Sequence, residues 1–418
     1  MTESTRKPRL IAPFRGIRYP GSDLSPLVCP PYDIISPPER EELYRLHPHN
    51  AIRLEFSLPR EGEDCYQAAA HDWLKWLQEG ILKEEEEGLY ICRAEFSFHG
   101  EAHSRIGLLA ALHLESLQKG RVLPHEGTLA APKADRLALL NATHANFSPI
   151  WTIFDNPSLG ELLGRAYSGA PISRADLTDG SRCSLWRVSD AEMTNQICGM
   201  IGDGPIFIAD GHHRYETALA FSRQEHEESR GAPVNYVLTL LVEASDPGLI
   251  ILPTHRAIPD LGKEDMERLW AHLRQCCHLE QVPAGTAGPA AALEGLLKQV
   301  YVNDHSFGIY TKAEGCWQFT LKEPSAEPAQ GASSAPVAAL HRHVLDPVLG
   351  GEVKFGYYKD AQEARAAVDS GEYSVAFFLR PLRSEELIQA ALSRERLPGK
   401  STYFWPKVPA GLVMRSLR

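Results

Sequence analysis

Residues 205–220 have the sequence PIFIADGHHRYETALA. The apolar run PIFIA is typical of a short buried strand that ends at Ala209, and beyond it apolar side chains recur with helical spacing. The dipeptide Asp-Gly at 210–211 joins the two elements. A strand that passes through such a short turn into a helix is the building unit of α/β proteins, so this stretch predicts an α/β core.

Strands and helices alternate over residues 119–245. The helical stretch KADRLALLNATHA, for example, is followed by the apolar strand SPIWTIF. The flanking regions, 1–118 and 246–418, mix both element types without this alternation and are predicted to be α+β. In the first region SPPE at 36–39 predicts a capped helix start, and the alternating AIRLEFSL at 51–58 predicts a strand. We therefore predict a mixed α/β and α+β protein of three regions.

Charge and composition limit the classes of partner. The 418 residues carry 43 Lys and Arg against 54 Asp and Glu, a formal net charge of −11, which disfavours a protein that coats a nucleic-acid backbone. The sequence has no apolar run of about 18 residues, and its start, MTESTRKPRL, lacks the apolar segment of a signal peptide, so we expect a cytoplasmic protein without membrane contact. The eight cysteines form no C-x-x-C pair and are expected to be reduced thiols.

The segment DGHHR after the strand is the strongest candidate for a ligand site. A helix that starts at His212 or His213 points free backbone N–H groups and its positive dipole end toward the strand tip. Gly211 permits a ligand to approach the backbone closely, and both histidines and Arg214 add donors and positive charge. This combination favours a phosphate. The alternative is that Asp210 caps the helix and that the histidines lie on the surface.

A metal site is a competing interpretation of the same segment. His212 and Glu216 lie one helical turn apart, as two ligands on one helix face would. The sequence lacks the second histidine of an H-E-x-x-H motif and any cysteine cluster. A magnesium ion bound together with phosphates, with Asp210 as a ligand, fits these residues better.

A second group of candidates lies in and after the loop LPHEGT at 123–128. Glu126 beside His125 suits a general base if the carboxylate reaches a substrate hydroxyl, although an exposed turn is the simpler interpretation of the loop alone. Lys133, Asp135 and Arg136 follow at the start of a predicted helix. They form either a capping and salt-bridge cluster or a site that binds substrate or phosphate.

The segment GKST at 399–402 has the ending of a P-loop, but that motif requires glycine at the position of Arg394, and the following TYFWPK cannot open a helix. We therefore exclude a P-loop. Lys400, Ser401 and Thr402, with Lys407 downstream, still form a polar and basic group among aromatic residues, and they are candidates for substrate binding. A C-terminal strand packed by its aromatic side chains is the alternative.

Six segments together resemble a bacterial and archaeal family, catalogued as domain of unknown function 1015, over nearly the whole chain. They are, in order, APFRGIRY, VCPPYDIIS, LPHEGTLAAPKADRLALL, FSPIW, FIADGHHRYETALAF and GKSTYFWPK. At a greater distance, P-H-E followed downstream by a strand and D-G-H-H-R is similar to the free serine kinases of the ParB and sulfiredoxin superfamily.

This second resemblance implies a ParB/sulfiredoxin-like α/β catalytic core at 119–245, with an insertion near 156–202, between the two α+β regions. It implies a kinase that uses ATP or ADP, with Mg²⁺, to phosphorylate the hydroxyl of a small metabolite such as free L-serine. The phosphate turn then corresponds to residues 210–214, with Asp210 also a catalytic candidate. The general base corresponds to Glu126 next to His125.

Two other functions use the same residues. A nucleotide-binding regulatory protein would bind and slowly hydrolyse its ligand, and a phosphatase would position water where a kinase positions an alcohol. We expect a nucleotide and a small hydroxyl-bearing molecule as partners, and a homodimer is compatible with the sequence. Nucleic acid is not expected, because the basic segment of the DNA-partition proteins is not visible here.

Overall fold

The computed structural model describes residues 8–128, 130–225, 232–284, 286, 288–322, 335–350 and 353–418. It is a mixed α/β structure in which the described chain forms two compact units. Unit 1 comprises the residues up to 124, residues 128–250 and residues 406–418. Unit 2 comprises residues 125–127 and 251–405. No helix of the described ranges has the length and apolar character needed to cross a membrane.

Unit 1 contains most of the strands. Its strands are β1 (Ile11–Ala12), β2 (Phe14–Arg18), β3 (Lys83–Phe98), β4 (Glu101–His113), β5 (Val122–Pro124), β6 (Ala145–Asn146), β7 (Ile150–Phe154), β8 (Ser173–Asp176), β9 (Arg182–Val188), β10 (Ile206–Asp210), β11 (Tyr236–Glu243) and β20 (Met414–Ser416). Its helices are α1 (Pro37–Leu46), α2 (Ile52–Glu55), α3 (Cys65–Gln78), α4 (Ala130–Thr143), α5 (Ser158–Ala166), α6 (Ala191–Ile201) and α7 (His212–Gln224).

These strands form one sheet with the order β5-β10-β7-β11-β4-β3-β2-β20-β6, in which β1 also pairs with β4 and β9 joins β3 to β8. Fully buried apolar side chains from strands and helices, such as Leu162, Ile197 and Phe221, pack together as the core. Each large apolar side chain buried in this way contributes about 1.5–3 kcal/mol. The sheet and its core hold the β10–α7 connection in place.

Strands β5 and β10 are parallel neighbours, and Pro124 lies opposite Ile208. On its other side β10 pairs antiparallel with β7, and the register shifts between Ile208 and Asp210. Such irregularities are frequent next to functional sites, because they re-aim a side chain. The chain therefore leaves two adjacent strands of one sheet at the two segments that the sequence analysis singled out.

The predicted helix start at 36–39 is confirmed, because Ser36 and Glu39 form a reciprocal capping box on α1. The predicted strand at 51–58 is wrong, since residues 52–55 form α2. Asn50 explains the difference: its side-chain oxygen accepts a 2.9 Å hydrogen bond from the backbone N–H of Ile52. This Asx turn favours a helical turn over the extended backbone that the alternation suggested.

Unit 2 carries a second sheet, with the order β14-β16-β15-β18-β13-β17. The strands of this sheet are β13 (His255–Ile258), β14 (Cys277–Val282), β15 (Ser306–Thr311), β16 (Gly315–Leu321), β17 (Gly356–Tyr358) and β18 (Val375–Phe378). Strands β12 (Ile250–Leu252) and β19 (Tyr403–Trp405) form a separate two-stranded sheet. Its helices are α8 (Lys263–Cys276), α9 (Gly288–Val302), α10 (Pro336–Leu340), α11 (Asp346–Leu349), α12 (Ala361–Ser370) and α13 (Ser384–Leu392). A π-helical turn, His341–Leu345, lies between α10 and α11.

Candidate functional site

The turn between β10 and α7 depends on Gly211. This residue occupies the cap position of the helix in the left-handed conformation, with φ at 86°. A Cβ atom at this position would lie 3.0 Å from the side chain of Ile150 and 3.1 Å from the guanidinium of Arg214. Both the backbone conformation and the lack of space therefore require glycine. Because glycine has no side chain, Ile150 and Arg214 can pack directly against the turn.

Asp210 is the last residue of β10, so its interpretation as the helix cap is wrong. One carboxylate oxygen accepts a 2.9 Å hydrogen bond from Lys407, and the other accepts a 3.0 Å hydrogen bond from Arg214. Burial acts to raise the pKa of Asp210, but the charges of Lys407 and Arg214 outweigh it and hold that pKa well below its usual range. His212 is buried, which also contradicts a surface role for this histidine.

Arg214 links the turn to the N-terminal part of unit 1. Its Nη1 donates to Ser148 Oγ over 3.1 Å and to the Pro149 carbonyl, and Ser148 Oγ in turn donates to Glu55 Oε1 over 2.9 Å. Glu55 is almost fully buried, and burial raises its pKa although Arg136 and Arg214 oppose the shift. Glu55 was not predicted as a site residue, because the surrounding segment was interpreted as a plain strand.

Arg136 lies on the other side of Glu55. It donates to the Glu55 carbonyl over 2.8 Å and to Asp135 over 2.7 Å, and its guanidinium stacks 4.0 Å from the ring centre of Tyr32. Asp135 also accepts a 2.8 Å hydrogen bond from Tyr66. Two of the predicted substrate-binding residues, Asp135 and Arg136, are thus connected to the Asp210 turn by side-chain contacts within unit 1.

Lys133, the third residue of that predicted group, contacts α7 instead. Its ammonium lies 3.0 Å from Glu216 Oε2, which also accepts a 2.7 Å hydrogen bond from Thr128. Glu216 was half of the competing metal hypothesis. No group of three or more His, Cys, Asp or Glu side chains arranged to hold a metal ion occurs within the described ranges.

In unit 2 the segments around Glu126 and GKST meet. Glu126 Oε1 accepts hydrogen bonds from the backbone N–H groups of Ser401 and Thr402, over 2.8 and 2.9 Å, and from the Thr402 hydroxyl over 3.0 Å. The buried His125 ring lies 3.1 Å from the same hydroxyl. Lys400 is exposed and adopts a left-handed backbone conformation with φ at 59°. The predicted residues 125, 126, 401 and 402 thus form one cluster.

Arg256 was not predicted, although it belongs to this cluster. It is fully buried, donates to the carbonyls of Thr254 and Gly399, and belongs to none of the ion pairs found among the described residues. Burial lowers its pKa to about 10, and the nearby Tyr357 and Glu126 act in the opposite direction. A charged residue at the start of the apolar strand segment THRAI was the available signal.

A comparison with known families matches residues 11–344 to the model described as a protein of unknown function, DUF1015. The chain belongs to the DUF1015 family. No curated protein matches this DUF1015 chain. Among the segments discussed above, the matched range includes the turn at 210–214 and Glu126, and it ends before Ser401 and Lys407.

Solved structures similar to the DUF1015 chain include a conserved hypothetical protein from Pyrococcus furiosus, at 14% identity and a TM-score of 0.38, covering 73% of this chain and 93% of that one. A free serine kinase in complex with AMP has 12% identity, a TM-score of 0.39 and coverages of 73% and 92%. SbnI from Staphylococcus aureus, truncated at its C-terminus, has 11% identity, a TM-score of 0.37 and coverages of 73% and 81%.

Proposed function

We propose that this DUF1015 protein is a nucleotide-dependent phosphotransferase that acts on the hydroxyl of a small metabolite, with free L-serine as the first acceptor to test. The observation that carries the proposal is the convergence of Lys407 and Arg214 on Asp210 at the start of α7, where no side chain caps the helix. At this turn two cations contact one carboxylate. The helix dipole adds about half an elementary charge at the same place.

This arrangement suits the phosphates of ATP or ADP. Phosphoryl transfer requires mainly positioning and neutralisation of charge, which backbone N–H groups, His212, His213 and Arg214 supply at this turn. Mg²⁺ would enter with the nucleotide and neutralise phosphate charge. Because both oxygens of Asp210 already contact cations, direct metal ligation by Asp210 requires Lys407 or Arg214 to move.

Glu126 is the proposed general base. Three donors from Ser401 and Thr402 fix the orientation of its carboxylate, as a positioned base requires. Glu126 follows the last residue of β5 by two positions, and β5 is the parallel neighbour of β10. In the proposed step the acceptor hydroxyl transfers its proton to Glu126, its oxygen bonds to phosphorus, and the bond to the nucleotide leaving group breaks.

The test is phosphorus NMR of the purified full-length protein with ATP or ADP, Mg²⁺ and a panel of hydroxy amino acids. We expect a phosphate ester, and we expect Glu126→Gln to reduce its rate by about 10²–10⁴-fold, the usual contribution of a general base. Glu280→Gln, at an exposed position of β14, is the matched control and should retain full activity. Full activity in Glu126→Gln, or no ester with either nucleotide, contradicts the proposal. Inorganic phosphate as the sole product would indicate the phosphatase or the regulatory protein instead.

A further inference from the structure

A pocket of about 170 Å³ lies in unit 1 between α1, α3 and α4. Its charged lining residues are Arg40, Glu55, Asp135 and Arg136, and Ser57, Cys65 and Tyr66 complete the polar lining. The volume is well below the roughly 300–1,000 Å³ of pockets that take drug-sized ligands, so the pocket suits a molecule of a few heavy atoms. The contribution of α1 and α3 to this pocket was not predicted from the sequence.

Arg40 is the unusual member of the lining. It is half-buried, and its guanidinium donates only to neutral groups, the carbonyls of Phe56 and Ser57, while it stacks 3.9 Å from the ring centre of Phe56. None of the ion pairs found within the described ranges includes Arg40. A partly buried cation without a counter-ion is costly, so a bound anion would stabilise it.

The rest of the lining sets the charge that the pocket can accept. Arg136 contacts both carboxylates of the lining, Asp135 over 2.6 Å and Glu55 over 3.9 Å, so Arg40 is the lining cation that forms no ion pair with a lining carboxylate. One such guanidinium, in a lining that already holds two carboxylates, suits a carboxylate monoanion better than a phosphate dianion. Asp135 and the Tyr66 hydroxyl that donates to it lie in the same lining. They offer acceptor oxygens to a ligand that also carries a donor group.

We propose that this pocket binds a small carboxylic acid with a donor group next to its carboxylate, the class that includes α-amino acids and 2-hydroxy acids. Arg40 binds the carboxylate, and Asp135 accepts from the ammonium or hydroxyl group. The proposal does not require phosphoryl transfer, because binding is measured without nucleotide. If the pocket holds the phosphoryl acceptor, this class of acids is also the substrate class of the proposed enzyme.

Cys65 provides a direct reporter of the pocket. It is one of two cysteines that are not buried, and the other, Cys276, belongs to unit 2 and serves as an internal control. The experiment measures the rates of iodoacetamide alkylation at both thiols by mass spectrometry, with L-serine, glycerate, propionate or inorganic phosphate present. We expect L-serine or glycerate to slow modification of Cys65 severalfold and to leave Cys276 unchanged. Propionate should protect less, and phosphate should not protect.

Affinity measured by calorimetry on the full chain gives the second readout. Arg40→Met should weaken binding of the protecting acid by roughly tenfold or more, equivalent to about 1.4 kcal/mol. Arg45→Met, on the same helix and exposed beside Glu41, should leave the affinity unchanged. If Arg40→Met does not fold, Tyr66→Phe provides the test, with a severalfold loss expected. Absence of protection by both acids, or wild-type affinity in the folded variant, overturns the proposal whether or not the protein transfers phosphate.

Discussion

Lys407 donates a 2.9 Å hydrogen bond to Asp210 across 197 residues of sequence. Both residues belong to unit 1, and the lysine side chain is 8% exposed, so the contact is shielded from water. The site at the β10–α7 turn is therefore completed by the last segment of unit 1.

Lys407→Met should destabilise the protein by about 2 kcal/mol at pH 7, because a shielded hydrogen bond to a charged group is lost. The pKa of Asp210 is held low in the folded state, so its ion pairs stabilise the fold above the ordinary aspartate pKa of about 3.9 and lose this effect as pH falls. The difference from wild type in urea unfolding should therefore shrink in acid. Lys263→Met, in an exposed pair with Glu267, should change stability by less than about 0.5 kcal/mol.

Gly211→Ala tests the geometry of the turn. Gly180 is the matched control, because it has φ at 81° with no atom near an added Cβ, whereas Gly211 has φ at 86° with Ile150 and Arg214 in the way. Gly180→Ala should cost about 1–2 kcal/mol from the left-handed backbone alone. Gly211→Ala should cost more and should weaken nucleotide binding measured by calorimetry. Equal effects of both substitutions would mean that crowding at the turn is unimportant.

Glu55→Gln tests the buried carboxylate. Because burial raises the pKa of Glu55 above its unfolded value, the folded protein binds this proton more tightly, and the contribution of Glu55 becomes less favourable as pH rises through the folded pKa. The stability of Glu55→Gln relative to wild type should therefore increase from pH 4 to pH 8 in urea titrations. Glu61→Gln, at an exposed glutamate of the same region, should show no such trend. A decrease with pH would contradict the assigned role of burial.

Arg256→Met tests a positioning role in unit 2. Replacing a buried cation with an apolar side chain of similar length is often neutral for stability, so the variant should fold. Loss of the contact to the Gly399 carbonyl should misplace the segment that orients Glu126. We expect kcat of the proposed reaction to fall at least tenfold while nucleotide affinity stays unchanged. Arg274→Met on α8, an exposed position, is the control, and a variant with wild-type kcat would refute the positioning role.

Short sequence patterns predicted correctly the helices and strands that are stabilised by contacts between residues close in sequence. The capping box of α1 and the β10–α7 unit were found because strand, turn and helix signals lie within a few residues of each other. The segment 51–58 was misinterpreted because the side chain of Asn50, just outside the alternating pattern, accepts a hydrogen bond from Ile52 and starts a helical turn. Apolar alternation alone does not distinguish a half-buried strand from a single buried helical turn.

The sites depend on contacts between distant parts of the chain. Glu126 and Ser401 are 275 residues apart, and no spacing rule relates them. Residue type indicated that the segments around Glu126 and Ser401 are candidates, but it did not indicate that they contact each other. Glu55 and Arg256 were missed because each lies among apolar residues, where an ionisable side chain has no partner in the neighbouring sequence.

Strand β20 lies between β2 and β6 in the sheet of unit 1. During synthesis on the ribosome, β2 appears early and β20 almost four hundred residues later, so the β2 and β6 edges stay without this neighbour until residues 414–416 have been added. Open edges of this kind promote association of incomplete chains. A chain released before residue 407 would also lack the lysine that pairs with Asp210. The sheet of unit 1 therefore lacks β20, and the β10–α7 turn lacks its lysine, until residues 407–416 have been synthesised.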